Sequence, residues 1–452
     1  MKQYDMQTMP LTWRHIWIVF VASLGQFIGT GVATLAGVII PMINILRHPE
    51  LSSAMQGLIG AIDLIGIAIG SVIFGRLTDR YGYLFFFRFC PALVLAFSLA
   101  AIFLPDVWSL TVCLFFIGLG IGGEYSLDSD YISELMPVKW KSLMIGIAKT
   151  GSAFGNILVA LLCFLLVSGW QNPDEWPNLM WLVSATAALM LLTRIRFYQS
   201  PKWLEERGRK KEAATAVSNF LGPDVAIGTA TDTDSVDNNL RPVAGNGSFM
   251  RRNLDKIILS GIPWACEGLG VYGIGVFLPI LVMALGIEHI PPHQTPMAHI
   301  ASSVWITFLI SCIILPGFLI GLLLLHRKVS ICNMQTWGFA LCAIAMTLLL
   351  LAFHFHWAKW ISIAAFMTFE LFLNLGPHLV TYVLPPRIYP VSDRGLGTGI
   401  AASLGKIGAV IAVFIIPILL RRGGPVLVLF VSAAVMAAGA VVTAIWKKKV
   451  FK

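Results

Sequence analysis

The sequence predicts an all-α membrane protein of twelve transmembrane helices in two six-helix bundles, with both termini cytoplasmic. Three observations lead there. Charged residues make up only 12% of the chain, apolar residues 57%, and mean hydropathy is +0.80. A surface facing water carries about twice that charge. The apolar residues gather into runs close to the roughly 20 residues a helix needs to cross a bilayer core. Lysine and arginine are concentrated in every second connection.

In chain order the apolar runs cover 16–41, 54–74, 84–104, 109–133, 143–167, 178–197, 257–285, 301–325, 331–353, 359–384, 397–420 and 425–446. Six lie before and six after the long polar stretch 198–256, so the expected organisation is a bundle over 1–197, a central loop over 198–256 and a bundle over 257–452. Within that loop, 228–247 is rich in Gly, Thr, Asp and Asn and predicts a flexible linker. Residues 1–11 are polar, and no small-residue cleavage site follows, so no cleaved signal peptide is expected.

Orientation follows from the basic residues. Arg76 and Arg80 lie between spans 2 and 3, Lys139 and Lys141 between spans 4 and 5, Arg327 and Lys328 after span 8, and Arg387 and Arg394 after span 10. Lys447, Lys448, Lys449 and Lys452 close the chain. The alternate loops hold few, chiefly Arg47, Lys359 and Arg421/Arg422. Positive charge inside places both termini and the central loop in the cytoplasm. The net charge of +9 is thereby explained by topology, with no nucleic acid partner. On that side the sequon Asn246-Gly247-Ser248 should be silent. The seven cysteines all fall in apolar runs without CxxC spacing and are expected to act as small buried hydrophobes, with no disulfide, metal site or cofactor.

An internal repeat supports two halves. At an offset of 253, Pro137-Val138 meets Pro390-Val391, Lys141 meets Arg394, and Leu143, Gly146, Ile147 and Ala148 meet Leu396, Gly399, Ile400 and Ala401.

Gly75-Arg76-Leu77-Thr78-Asp79-Arg80-Tyr81-Gly82, between spans 2 and 3, resembles the signature loop of the major facilitator superfamily. After span 6, the run from Ser200-Pro201-Lys202-Trp203-Leu204 to Arg207-Gly208-Arg209 is similar to an element of sugar porters and metabolite symporters. Gly118-Leu119-Gly120-Ile121-Gly122-Gly123-Glu124-Tyr125 resembles a stretch of phosphate:proton symporters, as do Asn374-Leu375-Gly376-Pro377-His378 and the run Ala401 to Ala409. The resemblance covers essentially the whole chain. It implies the major facilitator fold, a multi-pass cell-membrane protein and secondary transport. There are departures. Gly31 stands where many sugar porters carry an Asp, and Trp264 precedes Glu267 by three residues instead of four. Span 5 lacks the antiporter Gly-Pro pair.

Ionisable residues inside the spans are the candidate site, because an isolated charge at the bilayer centre costs at least about 2.5–3.5 kcal/mol and needs a partner, a watery cavity or a changed protonation state. Proton coupling is assigned to Glu124, Asp63, Glu267 and Glu370, with Glu124 first because it matches the family's acidic position. The bland alternative for Glu124 is an ion pair with Lys149. Substrate binding is assigned to Gln26, Thr30, Tyr125, Lys149, Trp264, Tyr272, Asn374, His378 and Lys406. Glu370, Asn374, His378 and Tyr382 recur every four residues and share a helix face, as do Glu124 and Asp128. The bland alternative for His378 is a hydrogen bond between helices, and for Trp264 and Tyr272 it is helix packing. Asp79, Arg80, Glu134, Arg387 and Arg394 form an expected cytoplasmic gate. Gly118, Gly120 and Gly122 are expected to let helices approach closely and are not a dinucleotide fingerprint, since no strand precedes them.

The expectation is a monomeric, non-enzymatic carrier in the lipid bilayer that takes up a small polar metabolite with protons by alternating access. Organic acids stand ahead of sugars and phosphate because of Lys149 and Lys406. An uncoupled facilitator of a sugar-like solute and a transport-dead sensor are the rivals. No constellation that could support catalysis accompanies these residues.

Overall fold

The computed structural model describes residues 4–6, 8–47, 50–170, 172–195, 197–222, 224–226, 249–287, 294–389 and 394–451. The expected linker and the sequon lie outside them. So do the side chains of Asp79, Asp130 and Arg394, whose backbones are helical.

Helices dominate: α1 (Trp13–Leu46), α2 (Ser53–Tyr81), α3 (Tyr83–Phe103), α4 (Val107–Leu135), α5 (Lys141–Lys149), α6 (Gly151–Gly169) and α7 (Met180–Arg194) precede two short helices, α8 (Pro201–Glu206) and α9 (Lys210–Leu221). Then follow α10 (Phe249–Arg252), α11 (Leu254–Gly268), α12 (Gly275–Ala284), α13 (Pro296–Ser311), α14 (Ile314–His326), α15 (Ile331–His354), α16 (Lys359–Leu375), α17 (Pro377–Ile388) and α18 (Arg394–Val450). The one pairing of strands among the described residues is a two-residue parallel bridge, with Tyr4 opposite Val225 and Asp5 opposite Ala226.

Among the described residues, eleven helical stretches are long and apolar enough to cross a membrane, and the last, Gly397–Val450, spans 54 residues. At 1.5 Å per residue that is about twice the length one crossing needs. Gly424 resolves the excess. It has φ 64° and ψ −168° inside α18 and divides it into two membrane-length parts. The twelve runs of the sequence are thereby present.

Four of them are interrupted where the sequence suggested continuous helix. Span 5 breaks after Lys149, where Thr150 Oγ1 donates to Ile147 O at 2.6 Å and Ser152 Oγ to Lys149 O at 2.8 Å. Span 7 contains a wide, π-type turn at Leu269–Ile274 between α11 and α12. Span 8 divides between α13 and α14 just before Pro316, which has no N–H for the ladder. Span 10 breaks at Gly376 (φ −111°, ψ −92°), ahead of Pro377. Hydropathy reports none of these, because an apolar run reads the same whether or not its backbone bonds are continuous.

The described chain forms two compact units. One comprises 1–32, 62–156 and 177–234; the other 33–61, 157–176 and 235–452. In the first, glycines let backbones touch. Gly118 and Gly122 of α4 lie against the backbones of Asp63 and Ile67 on α2, and Gly66 and Gly70 of α2 against Phe115 and Leu119. Ser71 Oγ donates to Gly122 O at 3.0 Å across this crossing. Gly120 instead faces Cys90 and Val94 on α3. In the second unit, Gly405 and Gly408 of α18 meet Trp264 and Ala265, and Gly268 of α11 meets Ala409. Without hydrophobic drive between helices in lipid, close packing of this kind supplies much of the association.

Candidate functional site

The first unit holds a three-charge cluster. Arg194, at the end of α7, is fully buried, as is Glu124, and Asp128 is nearly so. Its Nη1 lies 2.5 Å from Glu124 Oε2 and its Nη2 3.2 Å from Asp128 Oδ1. Nη1 also reaches Phe87 O at 3.3 Å, and the guanidinium carbon sits 4.9 Å from the Phe87 ring. One side chain thus ties α3, α4 and α7. Two carboxylates face one cation, so the cluster has an excess negative charge that a single proton would cancel. The ion pair of Glu124 is therefore with Arg194, where the sequence suggested Lys149. Arg194 was missed because it stands near the end of run 178–197, where an arginine passes for a flanking anchor. Its place inside the run was the available signal.

Lys149 ends α5, at the break in span 5. Its Nζ donates to Gln26 Oε1 at 2.9 Å and lies 5.6 Å from the centre of the Tyr125 ring. The break and α1 are joined by Thr30 Oγ1, which donates to Ser152 O at 2.8 Å. Gly25 and Gly29 place α1 against Asp128 and Tyr125 of α4. Gln26, Thr30, Tyr125 and Lys149 are thus brought together. Asp63 is buried at the α2–α4 crossing, where its Oδ1 accepts from Leu64 N at 2.7 Å, and is not a member of the Arg194 cluster.

At the loop between α2 and α3, Gly82 has φ 87°, and the Gln199 side chain fills the space a Cβ would need. Gln199 Oε1 accepts from Tyr83 N at 2.8 Å and Leu84 N at 3.2 Å. Glu134 accepts from Tyr83 Oη at 2.8 Å and from Ser200 Oγ. Ser200 also caps α8, accepting from Trp203 N at 3.3 Å. The signature loop and the Ser-Pro-Lys-Trp element are thus clasped by one carboxylate and one amide. Arg80 and Arg387 are exposed. Outside the membrane spans, Arg209 is hydrogen-bonded to Glu212 at 2.6 and 2.8 Å and holds its carboxyl below the usual range.

The second unit contains a buried polar chain. On α16 and α17, Asn374 Nδ2 donates to Glu370 O at 2.8 Å and to Glu370 Oε2 at 3.1 Å. Asn374 Oδ1 lies 2.9 Å from His378 Nδ1, and His378 Nε2 lies 3.7 Å from Glu267 Oε1 on α11. All four residues are buried. Tyr382, one turn on, packs on Trp264 with ring centres 5.0 Å apart. Lys406 Nζ donates to Tyr272 Oη at 3.1 Å and sits 4.5 Å from that ring's centre. The four-residue stripe of span 10 is therefore a bonded series, which the break at Gly376 does not interrupt.

Twelve apolar segments of membrane-crossing length define a multi-pass membrane protein. The family described as "Sugar (and other) transporter" matches residues 1–448, and the chain belongs to it. It is similar to the inner membrane metabolite transport protein YgcS of Escherichia coli strain K12, 25% identical over 411 residues, covering 90% of this chain and 85% of that protein. It is also similar to the repressible high-affinity phosphate permease of Neurospora crassa, 22% identical over 455 aligned positions, covering 92% and 79%. In fold it matches the partially occluded, inward-open xylose transporter XylE of E. coli, with TM-score 0.74, 17% identity, and coverage of 96% of this chain and 99% of that one. The fold is that of the major facilitator superfamily, and the protein is a transporter, not an enzyme.

Proposed function

We propose that the protein is a proton-coupled importer of a small organic acid, working by alternating access. The observation that carries the coupling is the buried series Glu267–His378–Asn374–Glu370, with contacts of 3.7, 2.9 and 3.1 Å. Two carboxylates and an imidazole, joined in this way inside an apolar bundle, exchange protons where lipid-facing helices offer none. The Glu124–Asp128–Arg194 cluster is a second proton-holding candidate. An acid is favoured over a sugar or phosphate by two ammonium groups inside the spans, Lys149 held at Gln26 and Lys406 held at Tyr272. We retain the organisation into 1–197, 198–256 and 257–452, a monomeric state, and cytoplasmic termini as parts of this reading.

The test runs in two stages. Thermal shift of purified protein against sugars, organic acids and phosphate identifies a ligand, because a ligand that binds only the folded state raises apparent stability. Uptake of that ligand into proteoliposomes is then measured under imposed pH gradients and membrane potentials. Acceleration by an inward proton gradient is expected. Uptake that ignores both gradients sinks the coupling. A facilitator is the rival that Gly31 favours, standing where a carboxylate is common in sugar porters. Intact counterflow in Glu124→Gln, with a wild type unable to concentrate the ligand, would establish it.

A further inference from the structure

The direction of one amide determines where a proton sits. Asn374 Nδ2 faces two acceptors, the carbonyl of Glu370 and its Oε2. The opposite end, Oδ1, faces His378 Nδ1 at 2.9 Å. An amide oxygen has no proton to give, so Nδ1 must supply it. A neutral imidazole held this way has a lone pair, and no proton, at Nε2. That lone pair lies 3.7 Å from Glu267 Oε1, with both side chains about 95% or more withdrawn from solvent. A lone pair facing a carboxylate oxygen in such surroundings is unfavourable, since neither has a donor for the other.

We propose that Glu267 and His378 form a site for a single proton, that Asn374 sets its tautomer as a positioning residue, and that this site holds the coupling proton of the transport reading above. The proton has two resting places. On His378 Nε2 it makes an imidazolium beside a carboxylate; on Glu267 Oε1 it makes a carboxylic acid beside a neutral imidazole. Transfer breaks the Nε2–H bond and forms the Oε1–H bond, and the two opposite charges vanish together, so the net charge is unchanged. Loss of the proton from the pair leaves lone pair against carboxylate, which separation of α11 from α17 relieves.

Both residues flank irregular backbone. Glu267 is in the last turn of α11, directly before the wide turn at Leu269–Ile274, and His378 follows the break at Gly376. Such interruptions are where a helix changes shape without unfolding. Proton occupancy and helix arrangement are thus linked at one contact. Among the described residues, Glu370 on α16 is joined to the pair through Asn374, and the same unit holds Cys342 on α15 (bonded to Phe369 O at 3.5 Å), Tyr382 on α17, and Tyr272 with Lys406 from α18. From α14 the neighbour is the Phe318 ring, 5.1 Å from the imidazole.

The test uses the full chain in lipid nanodiscs with isotopically labelled histidine, and solid-state nitrogen spectra that separate the two neutral tautomers from the imidazolium. The His378 signals are identified by their loss in His378→Asn. In wild type, His378 should show the Nδ1–H neutral form and the imidazolium only, and Asn374→Leu should add the Nε2–H form. A wild-type His378 that is neutral with Nε2–H overturns the proposal, and needs no variant to fold beyond the one used for assignment. If that variant fails to fold, Asn374→Leu assigns the signal by its shift. Proton uptake between about pH 9 and pH 5 is counted separately. The Glu267→Gln/His378→Asn double variant should take up one proton fewer than wild type, because the pair titrates as a unit. Two fewer, or none fewer, overturns it. Should transport prove uncoupled while the tautomer and the count hold, the proton-coupled reading fails and the one-proton site stands.

Discussion

Replacing Arg194 by methionine would leave Glu124 and Asp128 facing one another on one side of α4 with their shared cation gone. The wild-type guanidinium makes contacts of 2.5 and 3.2 Å to the two carboxylates, a 3.3 Å bond to Phe87 O and a 4.9 Å ring contact. Breaking a buried ion pair by removing one partner costs about 3–5 kcal/mol, because the remaining charge keeps its desolvation penalty. Here two charges remain. Protonation of one or both limits the loss, so the same range is expected and not its double. Removing all three charges should behave differently: in Glu124→Gln/Asp128→Asn/Arg194→Met no buried ion is left, and most of the loss should be recovered. Reversible unfolding in mixed micelles, followed by tryptophan fluorescence, measures each variant. Arg194→Met within about 1 kcal/mol of wild type would refute the reasoning. So would a triple variant no more stable than the single one, since the penalty would then come from lost packing and not from stranded charge.

Gly82→Ala should destabilise the α2–α3 connection by about 1–3 kcal/mol, because φ 87° with ψ 172° is strained for any residue with a Cβ, and the same unfolding assay reads it. Gly118→Val should reduce folded yield, measured by size-exclusion profile, because the added side chain would enter the backbone of Asp63 at the α2–α4 crossing. Arg14→Ala should loosen α9, whose final carbonyls it bonds at Phe220 O (2.7 Å) and Asn219 O (3.3 Å); limited proteolysis should then cleave near that helix faster than in wild type. Under the coupled reading, Glu267→Gln should abolish acceleration of uptake by a pH gradient while ligand-induced thermal stabilisation persists; full gradient dependence in this variant would remove Glu267 from the coupling step.

Much of the candidate site could be read from residue spacing. Glu370, Asn374 and His378 recur at four-residue intervals, and a helix converts that interval into a shared face, so their bonding follows from local geometry. Glu124 and Asp128 share a face for the same reason and meet the same arginine. Partners from distant segments were less legible. Arg194 stands 66 residues beyond Asp128 and Gln199 more than 110 beyond Tyr83, and spacing along the chain says nothing of contacts at such separation. The glycines of α4 were recognisable as a means of close approach, but which helix each one touches, α2 for Gly118 and Gly122 or α3 for Gly120, was not.

The sequence by itself determined that this is a twelve-span membrane protein, and its motifs gave the resemblance to major facilitator carriers. Hydropathy and charge are local quantities, and the bilayer's thickness and the cost of unpaired backbone polar groups in it allow them one architecture. Tertiary structure decided which interruptions the apolar runs carry, beyond what Pro316 and Pro377 signal, and which charge meets which. Breaks at Lys149, Leu269–Ile274 and Gly376 depend on neighbours that take over freed backbone groups or tolerate their loss. Pairing of Arg194 with Glu124 and of His378 with Glu267 depends on rotation and depth of whole helices, and those are set only when all of them pack at once.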